Sequence, residues 1–154
     1  MEEKDGAILV SVFSSVFEEF AFMFVEEAED DAASDPGDPC PCLLAGIRFS
    51  GRQNSGVLEV AAPAELCEEL AENILGLEQE ELPEEASENA LTELLNVSCG
   101  YFLAEKFGTD EVFDLSIPET REISGGQWAE MSGSGGWVNL EVEEAPLMAR
   151  AEIR

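Results

Sequence analysis

Four residues in the second half of the chain recur at helical spacing and have types that could bind or orient a substrate. Asn89, Glu93, Asn96 and Gly100 are separated by 4, 3 and 4 residues, so a helix would place them on one face. We call this set the polar stripe. Its carboxamides can donate and accept hydrogen bonds, and its glycine would let another backbone approach closely. In isolation, however, a Glu-x-x-Asn spacing is most often part of an ordinary solvated face.

The absence of histidine removes most other catalytic chemistries. A chain without histidine has no Ser-His-Asp or Cys-His catalysis and lacks the commonest general base. A nucleophilic cysteine would need a nearby positive charge, and the chain has only 7 basic residues. Paired carboxylates for glycoside chemistry remain open, but any pairing among 35 acidic residues is weak support. Cys40 and Cys42 are too closely spaced for a zinc clamp, so we expect no metal site.

The charge balance argues against two classes of partner. With 35 acidic and 7 basic residues, the formal net charge is −28. Nucleic acids and anionic membranes are bound through Lys and Arg, so we expect neither as a partner. The acidity could serve solubility, a salty habitat or a basic partner, and the sequence does not separate these.

The N-terminal part of the chain predicts a helix that lies in the core. Apolar residues recur at helical spacing from Ile8 to Phe24, and so apolar a helix should be covered on most sides. The stretch 7–25 has the length of a membrane span, but Glu18 and Glu19 near its middle argue against one. The acidic start of the chain is unlike a secretory signal, and four cysteines without such a signal favour a reducing, cytoplasmic compartment.

The rest of the first half predicts a hairpin and a shorter helix. Residues 43–49 and 57–60 have strand patterns, and the turn-rich segment 51–56 joins them. A helix follows from Pro63 and ends at Gly76. The acidic segments before and after this unit, 30–41 and 77–83, are predicted to be loops.

The second half repeats this outline with a longer helix. Residues 84–107 predict the helix that carries the polar stripe, and Gly108 ends it. Cys67 and Cys99 lie inside helical patterns, where free thiols act as small buried hydrophobes. Strands are predicted at 112–117, 128–131, 137–143 and 147–153, with hairpin turns at 132–136 and at Pro146.

These elements predict an α+β fold in which two long helices pack on a mainly antiparallel sheet. The length fits one domain, 1–154, with a core that needs neither disulfides nor metals. Its halves, 1–77 and 78–154, each begin with a long helix that is followed by strands. That order suggests an approximate internal duplication.

The run Asn89-x-x-x-Glu93-x-x-Asn96, followed by Pro118, resembles the CheC/CheX/FliY phosphatases of bacterial chemotaxis. Their pattern is Asp or Ser, three residues, Glu, two residues, Asn, and then Pro about twenty-two residues on. The resemblance includes the strand–hairpin–helix run 43–76, and a single domain of this length is more similar to CheX than to the longer members. Two positions depart from the pattern: Asn89 replaces Asp or Ser, and 21 residues separate Asn96 from Pro118.

The resemblance implies a cytoplasmic phosphatase that hydrolyses the aspartyl phosphate of a CheY-like response-regulator receiver domain. Asn96 would position the attacking water, and Glu93 would pair with the active-site lysine of the receiver. Asn89, Gly100 and Pro118 would support or dock the partner. The protein would need no cofactor of its own, because the receiver would supply the Mg²⁺ and the phosphorylated aspartate.

Two alternatives to catalysis stay open: a module that docks a receiver without hydrolysing it, and an assembly role like that of flagellar-switch relatives. CheX relatives pair through a continuous sheet, so a homodimer through the sheet edges is compatible with catalysis. In the first helix the equivalent positions are Ser14, Glu18 and Ala21, which lack the asparagine. If the halves are related, this first site has decayed, and Ala21→Asn in a Glu93→Ala background would test that hypothesis.

Overall fold

The computed structural model describes residues 3–28 and 41–154 of the chain. Within these ranges the chain forms four α-helices, one short 3-10 turn at Gln79–Glu81 and seven strands, in the predicted α+β arrangement. The helices are α1 (Glu3–Ala21), α2 (Ala64–Leu75), α3 (Ala86–Phe107) and α4 (Gly125–Gly133). The strands are β1 (Val25–Glu27), β2 (Cys42–Ser50), β3 (Ser55–Pro63), β4 (Asp114–Leu115), β5 (Glu119–Ile123), β6 (Val138–Val142) and β7 (Ala145–Ile153).

All seven strands belong to one antiparallel sheet whose order is nearly symmetric. The order is β1-β6-β7-β3-β2, and both β4 and β5 pair with the outer side of β2. Exchanging β1 with β5, β6 with β2, and β7 with β3 gives the same order in reverse. The long helices α1 and α3 precede the two exchanged edge strands. This symmetry agrees with the suggested duplication, while the boundary at 77/78 stays a prediction.

Three helices cover one face of the sheet and form the main core. Alternate residues of β2, from Leu43 to Phe49, point into it, as the strand periodicity requires. The opposite face has a smaller core under α4, where Trp128 packs with Leu44, Ala61 and Met148. The helical side of the main core includes Leu9, Val12, Phe13, Val16 and Phe17 from α1, Leu66, Cys67, Leu70 and Ala71 from α2, and Leu91, Leu94, Leu95, Cys99 and Phe102 from α3.

Polar contacts at both ends of α1 fix its position beside the other helices. Near its N-terminus the Asp5 carboxylate lies 2.5 Å from the Lys106 Nζ of α3, and both side chains are largely buried. Near its C-terminus the Asn73 amide of α2 donates a 2.8 Å hydrogen bond to the Ala21 carbonyl. The ion pair joins the start of α1 to the end of α3, so these two helices run antiparallel.

The first helix ends three residues earlier than its apolar pattern predicted, and three aromatic residues at and after its end are exposed. The helix ends at Ala21, and the amide of Met23 closes it with a 3.1 Å hydrogen bond to the Phe17 carbonyl. Phe22 has a φ of 58°, in the left-handed region, and turns the chain towards β1. Phe22 and Phe24, after this turn, are exposed, and so is Phe20 on the last turn of the helix. In the described ranges no helix combines the length and apolarity needed to cross a membrane.

The strand predicted at 128–131 is wrong, because these residues belong to α4. Ser124 and Gln127 form a capping box: the Ser124 hydroxyl accepts from the Gln127 amide at 3.1 Å, and the Gln127 side chain accepts from the Ser124 amide at 2.8 Å. Residues 132–136 accordingly finish a helix and lead into β6, so they are not the predicted hairpin turn. Of the predicted strand 112–117, only Asp114–Leu115 is a strand, and β5 was not predicted.

The predicted turns have mixed outcomes. The hairpin at 51–56 is confirmed: β2 and β3 pair over their whole length, and a Cβ on Gly56 would overlap the carbonyl oxygen of Glu152. The β6–β7 turn lies at Glu143–Glu144, both with positive φ, and not at Pro146, which is inside β7. Acidic segment 30–41 lies outside the described residues except for Pro41.

Candidate functional site

The polar stripe lies on the solvent side of α3, as the spacing predicted. Asn89, Glu93, Asn96 and Gly100 are all exposed, while Leu94 on the opposite side of the helix is buried. Within the described ranges the side chains of Asn89, Glu93 and Asn96 make no hydrogen bond or ion pair. One carboxylate and two carboxamides are thus available to a partner. A helix that is anchored by its buried side holds them in a fixed arrangement.

The packing of the protein does not require the glycine in the polar stripe. A Cβ placed on Gly100 would meet no atom within 4 Å. Glycine inside a helix is less stable than alanine by about 0.5–1 kcal/mol, because it has more freedom to lose on folding. The fold would therefore favour alanine at this position. What glycine adds is the closest approach that another molecule can make to the α3 backbone.

Pro118 lies at the sheet edge and not on α3. It ends the segment 116–118 that interrupts the edge between β4 and β5. Next to it, the Ser116 amide donates to the Arg48 carbonyl, and the Ser116 hydroxyl accepts from the Arg48 amide, both at 2.9 Å. Proline has no N–H to donate, which suits a break in an edge strand. The structure thus gives Pro118 a local backbone role, and its role in docking stays a prediction.

The first helix does not present the predicted equivalent of the stripe. Ala21 is 0% exposed, so Glu18 and Ala21 do not share a surface, and an asparagine at position 21 would point into the core. Four exposed positions of this region, Ser11, Ser15 and Glu18 on α1 and Phe22 just after it, are what we call the α1 stripe; Glu19 and Phe20 are exposed as well. The residues of the α1 stripe have the same 4, 3, 4 spacing as the polar stripe, but no carboxamide is among them.

The free cysteines are unsuited to nucleophilic chemistry. Cys67 and Cys99 are both buried free thiols. Burial raises the pKa of each to about 12, with the nearby Glu68 carboxylate adding to the effect on Cys67. Both thiols are therefore protonated at neutral pH, as expected for small buried hydrophobes. Cys42 is disulfide-bonded and therefore does not titrate.

The shape of the surface at the polar stripe suits insertion into a partner. A groove of about 260 Å³ lies on the opposite face of the sheet, where Gly46, Arg48 and Arg121 are among its lining residues. The stripe itself lies on the exposed side of α3, and its residues do not line this groove. In residues 3–28 and 41–154 no three acidic or cysteine side chains are grouped so that they could hold a metal ion. The stripe is therefore available to a concave site on another protein.

Comparison with known protein families identifies one family that this chain matches. Residues 43–139 match the family model described as chemotaxis phosphatase CheX. No curated protein matches the chain. These 97 residues (43 to 139 inclusive) are more than half of the 154-residue chain.

Solved structures have a similar fold at low sequence identity. Chemotaxis protein CheX from Desulfovibrio desulfuricans is 10% identical with a TM-score of 0.70, and the match covers 98% of this chain and 99% of that one. CheX from Vibrio vulnificus is 15% identical with a TM-score of 0.67, covering 96% and 95%. The CheX–CheY–BeF3–Mg²⁺ complex from Borrelia burgdorferi contains a chain that is 16% identical with a TM-score of 0.64, covering 96% of both.

Proposed function

This chain belongs to the CheX family of chemotaxis phosphatases, and on that premise we propose that it hydrolyses the aspartyl phosphate of a CheY-like receiver domain. The observation that carries the proposal is the pair Glu93 and Asn96 on the exposed side of α3. In the described part of the chain neither side chain has a hydrogen-bond or ion-pair partner. A protein that has no histidine, and whose free thiols in residues 3–28 and 41–154 are protonated, has few other ways to assist hydrolysis.

The proposed chemistry depends on positioning a water molecule. An aspartyl phosphate is an acyl phosphate, so its leaving carboxylate needs no general acid. Hydrolysis instead needs a water held in line with the phosphorus atom. The Asn96 carboxamide can accept a hydrogen bond from that water through its oxygen and donate one to a phosphoryl oxygen through its nitrogen. Glu93, one turn away on the same face, would pair with the active-site lysine of the receiver and fix the docking register.

The partner would supply the rest of the active site. The receiver would hold the phosphorylated aspartate and the Mg²⁺, so this chain would need no cofactor of its own. The Borrelia burgdorferi CheX in a complex with CheY, BeF3 and Mg²⁺ supports a CheY-like partner for this chain. The reaction would take place in the cytoplasm, where receiver domains act. A homodimer would form through the sheet edges, either β1 or the β4/β5 side. It would leave the polar stripe of α3 free.

The test is the decay of a phosphorylated receiver from the same organism. Wild-type protein should accelerate the decay, and Asn96→Ala should reduce that acceleration by about 100-fold or more, because the water loses its orienting group. Glu105→Ala is a matched control. Glu105 is exposed on the same helix, but it lies nine residues after Asn96 and on the opposite side of the helix. It should behave as wild type. If wild type binds several receivers and accelerates the decay of none, the protein is a docking module and not a phosphatase.

A further inference from the structure

Phe22 is an exposed aromatic residue in a backbone conformation that suits glycine. Its side chain is 75% exposed and its φ is 58°. At the corresponding point after α2 the chain has Gly76, with a φ of 68° and the usual closing hydrogen bond. Phenylalanine at position 22 therefore adds little to the core and is a poor residue for this turn. The fold alone does not account for it.

Phe22 lies at the same end of the helical layer as Asn89. The Asp5–Lys106 ion pair sets the register of the antiparallel helices α1 and α3, and both rise about 1.5 Å per residue. Ser15 lies ten residues after Asp5 and Asn96 lies ten residues before Lys106, so these two residues are level with each other. Phe22 lies seventeen residues after Asp5 and Asn89 lies seventeen residues before Lys106, so these two residues are also level. The Asn73–Ala21 hydrogen bond agrees with this register, because it joins the end of α1 to the end of α2, from which the chain continues into α3.

The α1 stripe and the polar stripe also face the same way. Both helices bury their other sides on one face of the sheet, so their exposed sides point away from it together. The Glu93 and Asn96 face is thus continuous with the α1 face that ends at Phe22. A receiver docked on Glu93 and Asn96 would extend over the neighbouring helix, because protein interfaces of standard size bury about 800 Å² on each partner.

Charge does not favour this association. The combined face carries the carboxylates of Glu18 and Glu93, and neither stripe contains a lysine or arginine. The net charge of the chain is −28, and an aspartyl phosphate with the carboxylates that hold its Mg²⁺ is also anionic. The two stripes offer no cation to the anionic phosphorylation site, so burial of apolar surface has to supply much of the affinity. Aromatic side chains are the residues that most often do this at protein interfaces.

We infer that Phe22 is the apolar anchor that binds the receiver domain, seated against an apolar patch beside the receiver's phosphorylation site. This inference rests on the proposed function. It assigns α3 the chemistry and α1 a share of the affinity, and it identifies the receiver as the molecule that covers Phe22.

The test uses Phe22→Gly, because glycine suits a φ of 58° and keeps the fold at least as stable as wild type. Thermal unfolding checks that stability. Steady-state dephosphorylation should give a KM raised about tenfold with kcat within twofold of wild type, since Glu93 and Asn96 are intact. Calorimetric binding to a receiver activated with BeF3 should show the same tenfold loss.

Phe24→Ala is the matched control. Phe24 is 68% exposed but lies beyond the α1 stripe, immediately before β1, and its variant should keep KM and Kd within twofold of wild type. An active wild type with unchanged KM and Kd in Phe22→Gly would overturn the inference and leave the phosphatase proposal intact. A wild type that binds without hydrolysis would end the phosphatase proposal, and the Kd of Phe22→Gly would still decide the role of Phe22. Absence of both binding and hydrolysis would end both.

Discussion

The helices α1 and α3 pack side by side on one face of the sheet, yet their exposed surfaces have different chemistry. Each buries an apolar side in the main core and exposes residues at 4, 3, 4 spacing. On α3 these positions hold two carboxamides, a carboxylate and a glycine. On α1 they hold two serines, a carboxylate and a phenylalanine. The fold thus determines which positions are exposed, and the residue types at those positions determine whether a helix can assist hydrolysis.

The comparison also separates two kinds of exposed carboxylate. Glu18 and Glu93 both lie on the solvent sides of long helices, in a chain with 35 acidic residues. Glu93 has a carboxamide three residues away on its face, whereas the residue three positions after Glu18 is buried. Exposure and charge alone therefore do not distinguish the carboxylate that we propose to be functional. The neighbour that shares its surface does.

The largest effect on kcat/KM should come from neutralising Glu93, whereas neutralising Glu18 should have little effect. Glu93→Gln should lower kcat/KM for the phosphorylated receiver by about 100-fold, because the receiver lysine loses its partner in a desolvated interface. Glu18→Gln should change kcat/KM by less than twofold, since no carboxamide accompanies it. Both values come from the same decay assay. Equal losses in the two variants would mean that the helices contribute alike and that the comparison is wrong.

The next largest effect should come from the ion pair that holds the two helices in register. Lys106→Met leaves the Asp5 carboxylate buried without its cation, so the free energy of unfolding should fall by about 3 kcal/mol. The double variant Asp5→Leu, Lys106→Met should recover at least half of that loss, because an apolar pair of similar volume needs no charge compensation. Urea unfolding measures both. A single variant as stable as wild type would show that the pair does not hold the helices together.

A smaller effect should separate the buried and exposed positions at the end of α1. Ala21→Asn places a carboxamide in the core and should lower the free energy of unfolding by about 2 kcal/mol. Glu18→Asn, three residues earlier on the exposed side, should change it by no more than about 0.5 kcal/mol. Thermal unfolding of the two variants gives the comparison. A stable Ala21→Asn protein that presents its carboxamide to solvent would restore the idea of a decayed site at Ser14, Glu18 and Ala21.

Periodicity made α2, α3 and the β2–β3 hairpin predictable, and with them the exposure of the polar stripe. Each of these elements has one buried side and a clear terminator, such as Gly76 or Gly108. The helix α4 was mistaken for a strand because Trp128 and Met131 are apolar and lie between glycines. Its capping box, Ser124 with Gln127, was the local indication that a helix starts there.

Other features could not be predicted because they depend on distant partners. Phe22 and Phe24 continue the apolar content of α1, but the left-handed turn at Phe22 directs the chain towards β1 and leaves both exposed. Glu143 and Glu144 have positive φ although neither is a glycine or asparagine, so sequence preferences placed the turn at Pro146 instead. The short strands β1 and β4 carry too few residues for a periodic pattern.

The smallest effect on KM should come from replacing Gly100, which we expect to lie against the receiver, and Gly133, which has no such role, should show none. Gly100→Ala adds a methyl group that meets no atom of the protein, so it should raise the free energy of unfolding by about 0.5–1 kcal/mol and Tm by about 1–4 °C. The same methyl group stands on the polar stripe, where it should raise KM about threefold by holding the receiver backbone away from α3. Gly133→Ala is the matched control, since a Cβ there also meets nothing and Gly133 ends α4, on the opposite face of the sheet. It should leave KM within the error of the assay. If Gly100→Ala raises Tm and leaves KM unchanged as well, the partner does not approach this turn of α3, and docking is confined to the turns that carry Glu93 and Asn96.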